Sequence, residues 1–203
     1  IILVEGLRHV GVDAILHGAG VAREGRCALI VGPTGAGKST LALGLAARGW
    51  RHLADDLVAL GGGGPMVHPF PVAASVKSDS WPVVGEDFPA LMNSARLLFG
   101  TREVRYLDVH AGATVPVGAV RPALIVVAQR QAGLGRPEVE RLSPEAAFAA
   151  LIESGSEAVG DPPSMRALAE LVNNTRAVRF AFDDIDRAGE ALGTLMAGGA
   201  GHA

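Results

Sequence analysis

The 203-residue sequence contains little cysteine and few aromatic residues, and it has no long apolar run. Its single cysteine, Cys27, excludes an internal disulfide, and we expect a small core side chain because it stands in an apolar stretch. No segment reaches the ~18 to 20 apolar residues of a membrane span, and the first residues lack the features of a signal peptide. We therefore expect a soluble protein of the reducing cytoplasm with no membrane partner.

The net charge is small, and lysine is almost missing from the basic residues. A formal net charge of -3 and a pI near 6.1 offer no basic surface, so we expect no nucleic-acid partner. Of the 18 Lys and Arg residues, 16 are arginine and only Lys38 and Lys77 are lysine. A lysine in this background suits a place that needs a compact ammonium, which a guanidinium cannot replace. Both lysines are candidate site residues; for Lys77 the alternative is a chance surface position.

The order of apolar runs and turn residues predicts one α/β domain with a single core. Buried-strand runs stand at 27–31 and 123–128. Residues 71–100 are rich in Pro, Ser and Asp, which predicts an irregular excursion with one helix near 90–98. The other predicted elements are strands at 14–17, 51–54, 104–109 and 178–182, a turn at 23–26, a hairpin of 57–60 and 66–70, and helices at 38–48, 143–152, 164–172 and from 183 or 184.

The strongest motif is a glycine-rich segment between a buried strand and a helix. It matches G-x-x-x-x-G-K-[S/T] in full, and its context is that of a P-loop. Backbone N–H groups and the helix start would surround the phosphates, with Lys38 reaching the β and γ phosphates of ATP and the Ser39 hydroxyl binding Mg²⁺. The residues expected to bind the nucleotide are Gly32, Pro33, Thr34, Gly35, Ala36, Gly37, Lys38, Ser39 and Thr40.

Two adjacent carboxylates, Asp55 and Asp56, follow the predicted helix and strand. A helix of about 11 residues leads ~16 Å away from the loop, and about five strand residues lead ~16 Å back, so a right-handed crossover brings the pair beside the phosphates. At a strand end the two side chains point to opposite sides. One can hold Mg²⁺ while the other accepts a proton from an attacking hydroxyl. A solvated acidic turn is the alternative.

Four segments follow one another in an order that resembles the catalytic domain of bacterial HPr kinase/phosphorylase. They are His17-Gly18, the P-loop, Ala54-Asp55-Asp56 and Glu103-Val104-Arg105. The resemblance covers most of residues 14–110, and it includes a His-Gly about 15 residues before the loop and an Asp pair about 16 residues after its serine.

The resemblance implies an ATP- and Mg²⁺-dependent serine kinase with a mixed sheet and a fold like that of phosphoenolpyruvate carboxykinase. Asp55 would match the catalytic base, and Asp56 a magnesium-site residue. Glu103, also assigned to the metal, and Arg105 would lie near the transferred phosphoryl group. The kinase domain would span residues 1–197, with a flexible tail at 198–203.

The chain departs from this pattern in several places. Tyr106 stands where the family signature has glycine, and the Pro-Gly-Arg-Asn loop of the bifunctional enzymes is not found, so we do not extend the resemblance to phosphorylase activity or to HPr as substrate. The segments 67–70, 75–77 and 142–146 resemble more loosely the HPr-kinase-related kinases of peptide natural products, including those acting on lasso-peptide precursors.

Other candidates come from single residues. By itself His17 would be a core or strand-end histidine, whereas the resemblance places it close to the phosphates. Lys77 is expected to point into the cleft and meet a phosphate or the acceptor, and Arg130 would project from the end of its strand. His52, His68 and His110 show no metal-ligand spacing and are expected at the surface or behind the site.

The predicted function is transfer of the γ-phosphoryl group of ATP to a hydroxyl, on a serine of a peptide or protein or on a small molecule. A regulatory nucleotide switch or ATPase is the alternative from another class, although neither N-K-x-D nor L-S-G-G-Q occurs in the sequence. The third possible function is a nucleotide-binding module without catalytic activity. The expected partner is a peptide or protein substrate, and a homo-oligomer is left open.

Overall fold

The computed structural model describes residues 11–111, 118–155 and 162–198. The strands in these ranges are β1 (Val12–Arg23), β2 (Arg26–Val31), β3 (Arg51–Gly61), β4 (Met66–His68), β5 (Ala74–Lys77), β6 (Arg96–Phe99), β7 (Arg102–Leu107), β8 (Arg121–Arg130), β9 (Glu138–Leu142) and β10 (Arg176–Phe182). The helices are α1 (Lys38–Ala47), α2 (Trp81–Asp87), α3 (Ala90–Asn93), α4 (Pro144–Glu153), α5 (Pro162–Asn174) and α6 (Ile185–Ala197), with a 3-10 turn at Ser78–Ser80. No helix within these ranges is long and apolar enough to cross a membrane.

Seven strands form a mixed sheet in the order β4-β3-β1-β2-β8-β10-β9. The strands β2, β8 and β10 are parallel neighbours, while β1 is antiparallel to both β2 and β3. The β1-β2 hairpin turns at Glu24 and Gly25, which both have positive φ, as a two-residue hairpin with the twist of the sheet requires. The predicted mixed α/β fold is confirmed.

The large sheet is buried on both faces. Along β2, Cys27, Leu29 and Val31 pack on the side of α4 and α5, whereas Ala28 and Ile30 pack on the side of α1 and α6. This two-sided burial explains the continuous apolar run in the sequence. Cys27 is the predicted core side chain, and burial raises the pKa of its thiol to about 12.

The predicted strand at 51–54 is too short. Strand β3 continues to Gly61, so Asp55 and Asp56 lie inside it rather than at its end. Strand β1 also separates β2 from β3, and its residue Ala19 pairs with Ile30 on one side and with Asp55 on the other. The acidic pair therefore lies at the same height in the sheet as the end of β2, as predicted. It is separated from β2 by strand β1 instead of lying on the adjacent strand.

The segment 71–100 is more regular than predicted. Strands β5 and β6 both pair with β7 in a second, three-stranded sheet, and the helix expected at 90–98 ends at Asn93. All four residues of β6 are exposed, so the strand has no alternating apolar pattern that the sequence could reveal. Strand β9 was missed for the same reason, since four of its five residues are exposed.

Candidate functional site

Glycines allow the loop between β2 and α1 to curl at the edge of the large sheet. Gly32, Gly35 and Gly37 have φ of 137°, 87° and 87°, a region that side chains rarely allow. At Gly37 a Cβ atom would also lie 3.1 Å from the ring of Phe182. The amide of Leu41 donates to the Gly37 carbonyl at 2.8 Å and starts the helix directly after the loop. This geometry leaves a concave backbone next to a helix N-terminus, which suits phosphate binding.

Lys38 is the cation of this loop and is 8% exposed. Its Nζ donates to the carbonyl oxygens of Gly32 at 2.8 Å and Pro33 at 3.2 Å, so the ammonium lies folded against the loop. Burial lowers the pKa of Lys38, and the positive charge of Lys77 lowers it further, while Asp56 and Asp55 act in the opposite direction. The two lysines and the acidic pair therefore form one electrostatic group.

Asp55 lies directly beside the P-loop serine. The Ser39 hydroxyl donates to its Oδ1 at 2.9 Å, and its Oδ2 is buried with no hydrogen-bond partner among the described residues. The carboxyl is only 4% exposed. Burial, and after it the charge of Asp56, raise the pKa of Asp55 to about 7, although the hydrogen bond from Ser39 opposes the shift.

Asp56, unlike Asp55, is exposed, and its backbone is left-handed, with φ of 65°. The Nδ1 of His17 lies 3.1 Å from the Asp56 carbonyl oxygen and donates to it when that nitrogen carries the proton. Gly18 pairs with Asp56, and a Cβ atom at Gly18 would lie 2.6 Å from the Ile30 carbonyl oxygen. The His-Gly pair of the sequence thus holds the strained aspartate and allows close strand contact.

A cleft of about 140 Å³ brings most of the predicted residues together. Lys77, predicted to reach the site, lies on its wall with the P-loop opposite. Ser80 closes one side, since its hydroxyl is 2.9 Å from that of Thr40. The lining residues are His17, Gly35, Gly37, Lys38, Ser39, Thr40, Asp56, Ser75, Val76, Lys77, Asp79, Ser80 and Arg130.

Four of these residues, Ser75, Val76, Asp79 and Ser80, were not predicted. The signal that could have found them is the polar run around Lys77, because neighbours of a lysine that enters a cleft lie close to the same cleft. Arg130, which the sequence places at the end of its strand, lines the cleft as well.

Glu103 and Arg105 do not line this cleft. On β7, Val104 pairs with Lys77 and Arg105 pairs with Val76, but neither β7 residue is among those that line the cleft. Glu103 forms an ion pair with Arg96 on β6. The guanidinium of Arg105 donates to the carbonyl of Ser94 and lies 4.9 Å from the ring centroid of Trp81. Their predicted roles at the metal and the phosphoryl group stay predictions, and this geometry does not support them.

The structure excludes the surface, one of the two predicted locations, for His52. His52 is 2% exposed rather than at the surface, its ring lies 5.7 Å from that of His110, and burial lowers its pKa to about 4. Across the described ranges, no group of three or more His, Cys, Asp or Glu side chains is placed to hold a metal ion. A metal here would need the Ser39 hydroxyl or phosphate oxygens among its ligands.

Comparison with known proteins gives little direct information. No family model matches the chain, and no curated protein matches it. A similar solved structure is the Hpr(Ser) kinase/phosphatase from Coxiella burnetii, with 14% sequence identity, 91% of this chain and 94% of that chain covered, and a TM-score of 0.43. At this identity and TM-score the likeness assigns neither activity nor site residues, so the function must be inferred from the cleft itself.

Proposed function

We propose that this chain is an ATP- and Mg²⁺-dependent kinase that transfers the γ-phosphoryl group to the hydroxyl of a serine in a peptide or protein. The observation that supports this function is the shared cleft of the P-loop, the Asp56 carboxylate and Lys77, with Asp55 directly behind Ser39. A phosphate cradle, a carboxylate pair and a second cation are the parts that phosphoryl transfer needs.

The phosphate end of ATP would lie against the loop. Lys38 now donates to two loop carbonyls, and phosphate oxygens could replace these acceptors with stronger, charge-assisted hydrogen bonds. Lys77 would approach from the second sheet and add a second positive charge opposite the loop. The two cations would stabilise the charge that spreads over the γ-phosphoryl oxygens in the transition state.

The residues around Ser39 fit a magnesium ion. The Ser39 hydroxyl, the partnerless Oδ2 of Asp55 and the Asp56 carboxylate are hard oxygen donors, which Mg²⁺ prefers. When bound, Mg²⁺ neutralises phosphate charge and orients the transferred group. Glu103 would need to leave its ion pair with Arg96 to take part.

Asp55 is our choice for the base. A pKa of about 7 matches a carboxylate that takes a proton from an attacking hydroxyl near neutral pH. Its contact with Ser39, and the place of Asp56 in the cleft, support the reverse division, in which Asp55 serves the metal and Asp56 takes the proton. Variants of the two residues distinguish these assignments.

Residues 1–197 are proposed as the kinase domain, with 198–203 as a tail and the cytoplasm as the compartment. The test is incubation of the protein with γ-labelled ATP, Mg²⁺ and fractionated extract, followed by mass analysis of the labelled acceptor. We expect a serine of a polypeptide to gain phosphate, and the Lys38→Ala variant to label nothing. Label on a small molecule would change the acceptor class, and release of free phosphate alone would indicate an ATPase and overturn the proposal.

A further inference from the structure

A second cleft, of about 860 Å³, lies at the end of the large sheet where its parallel strands begin, which is the end opposite the P-loop. Arg26, Arg121 and Arg176 are the first residues of the parallel strands β2, β8 and β10, so they share that edge. Arg141 on the neighbouring strand β9 adds a fourth guanidinium. The P-loop follows the last residue of β2, about five residue steps or roughly 16 Å away. This arginine cleft is therefore separate from the proposed kinase site.

No carboxylate lines the arginine cleft or forms an ion pair with its arginines among the described residues, although Glu170 and Glu190 line neighbouring clefts. Besides the arginines, its lining residues are Gly25, Pro122, Ala123, Asn174, Met196 and Gly198. Five other arginines, at 23, 48, 96, 179 and 187, each have a carboxylate within 4.0 Å. Arg26 and Arg121 are moreover direct partners on adjacent strands, where like charges are destabilising.

Support of helix α6 explains only half of this cluster. Arg26 donates to the Met196 carbonyl at 2.8 Å, and Arg176 donates to that of Leu195, so both bind the last turn of the helix. Each guanidinium has five N–H donors, which leaves further donors for a ligand. The guanidinium groups of Arg121 and Arg141 make no hydrogen bond or ion pair with any described residue, so support of the helix does not account for them.

We propose that the arginine cleft binds a small anion that carries two or more phosphate groups. Its volume is in the range of small-molecule sites. Planar guanidinium forks match phosphate oxygens in pairs, and arginine is the residue of choice for this contact. The four arginines come from four strands of one sheet, so their backbone positions are fixed relative to one another. The proposal does not depend on the kinase activity.

The test uses pyrophosphate as probe in isothermal titration at fixed salt, with the full chain in a Lys38→Ala background that weakens the P-loop. Arg121→Gln/Arg141→Gln removes the two partnerless guanidinia. Arg136→Gln/Arg166→Gln removes the same charge from two exposed arginines outside the cleft. We expect saturable binding that weakens at least tenfold in the first double variant and less than twofold in the second. Thermal unfolding checks that both variants are folded.

Equal affinity in the two double variants, or no saturable binding at millimolar pyrophosphate, would overturn the proposal. A second titration uses an acidic hexapeptide of glutamate. If the peptide binds more tightly than pyrophosphate and with the same dependence on Arg121 and Arg141, the cleft is a docking site for polypeptide and the small-anion assignment is wrong.

Discussion

The two sheets contribute different things to the candidate site. The large sheet holds the P-loop, His17 and the acidic pair on strands buried on both faces, and its contacts there are short and specific. The small sheet contributes Lys77 from a strand of four residues. Of the seven exposed large hydrophobic side chains in the described chain, six lie between Val72 and Tyr106, in or around this sheet, with Leu98 68% exposed. We infer that the large sheet fixes the phosphate chemistry, whereas the small sheet offers a more open wall to the acceptor.

The largest effect is expected in the large sheet at Lys38. Replacement by alanine removes the cation that is folded against the loop, so ATP binding should fall below detection in a calorimetric titration. Lys77→Ala is the matched control, because it removes the same charge from the wall provided by the small sheet and should leave measurable ATP binding. Near-normal ATP affinity of the Lys38→Ala protein would refute the P-loop assignment.

The second-largest effect is expected for the substitution Asp55→Asn. The asparagine keeps an acceptor for the Ser39 hydroxyl but cannot take a proton, so transfer should slow by about 10² to 10⁴ while Mg-ATP binding stays nearly intact. Single-turnover rates and ATP titrations measure the two effects separately. If ATP affinity collapses together with the rate, and Asp56→Asn loses only the rate, then the roles of the two aspartates are reversed.

The substitution Asp55→Asn should also change how the free energy of unfolding depends on pH. The folded pKa of Asp55, about 7, lies above its ordinary value of 3.8, so its contribution to stability is complete below pH 4 and is lost as the pH rises through 7. Asp55→Asn should therefore match the parent protein at pH 4 and exceed it above pH 7, by up to about 4 kcal/mol for a shift of this size. Denaturant unfolding in magnesium-free buffer measures this, and parallel stability curves would contradict it.

The smallest effect is expected in the small sheet. Lys77→Arg keeps the charge but replaces a compact ammonium by a larger fork, so the transfer rate should fall at least tenfold, about 1.4 kcal/mol of transition-state stabilisation. Arg102→Lys, at the exposed start of β7, is the control and should leave the rate unchanged. A fully active Lys77→Arg enzyme would mean that the small sheet supplies charge alone.

The sequence predicted the buried strands well and the exposed strands poorly. Strands β2 and β8 are buried on both faces, and their apolar runs are visible without any tertiary information. Strand β6 is exposed along its whole length and β9 along most of it, so both are held by hydrogen bonds to a neighbouring strand that the local sequence does not encode. The length of β3 was missed because the acidic pair interrupts its apolar pattern.

For the site, the sequence by itself determined the glycine-rich loop and the approach of the acidic pair to it, because both depend on contiguous residues and on the fixed rise of one helix and one strand. Only the tertiary structure decided which side chains of the small sheet face the cleft. Lys77 lines the cleft together with P-loop residues, whereas Glu103 forms an ion pair with Arg96 and Arg105 contacts Ser94 and Trp81. The arginine cleft was likewise hidden, since its four guanidinia are up to 150 positions apart in the chain and meet only because parallel strands begin at a common edge.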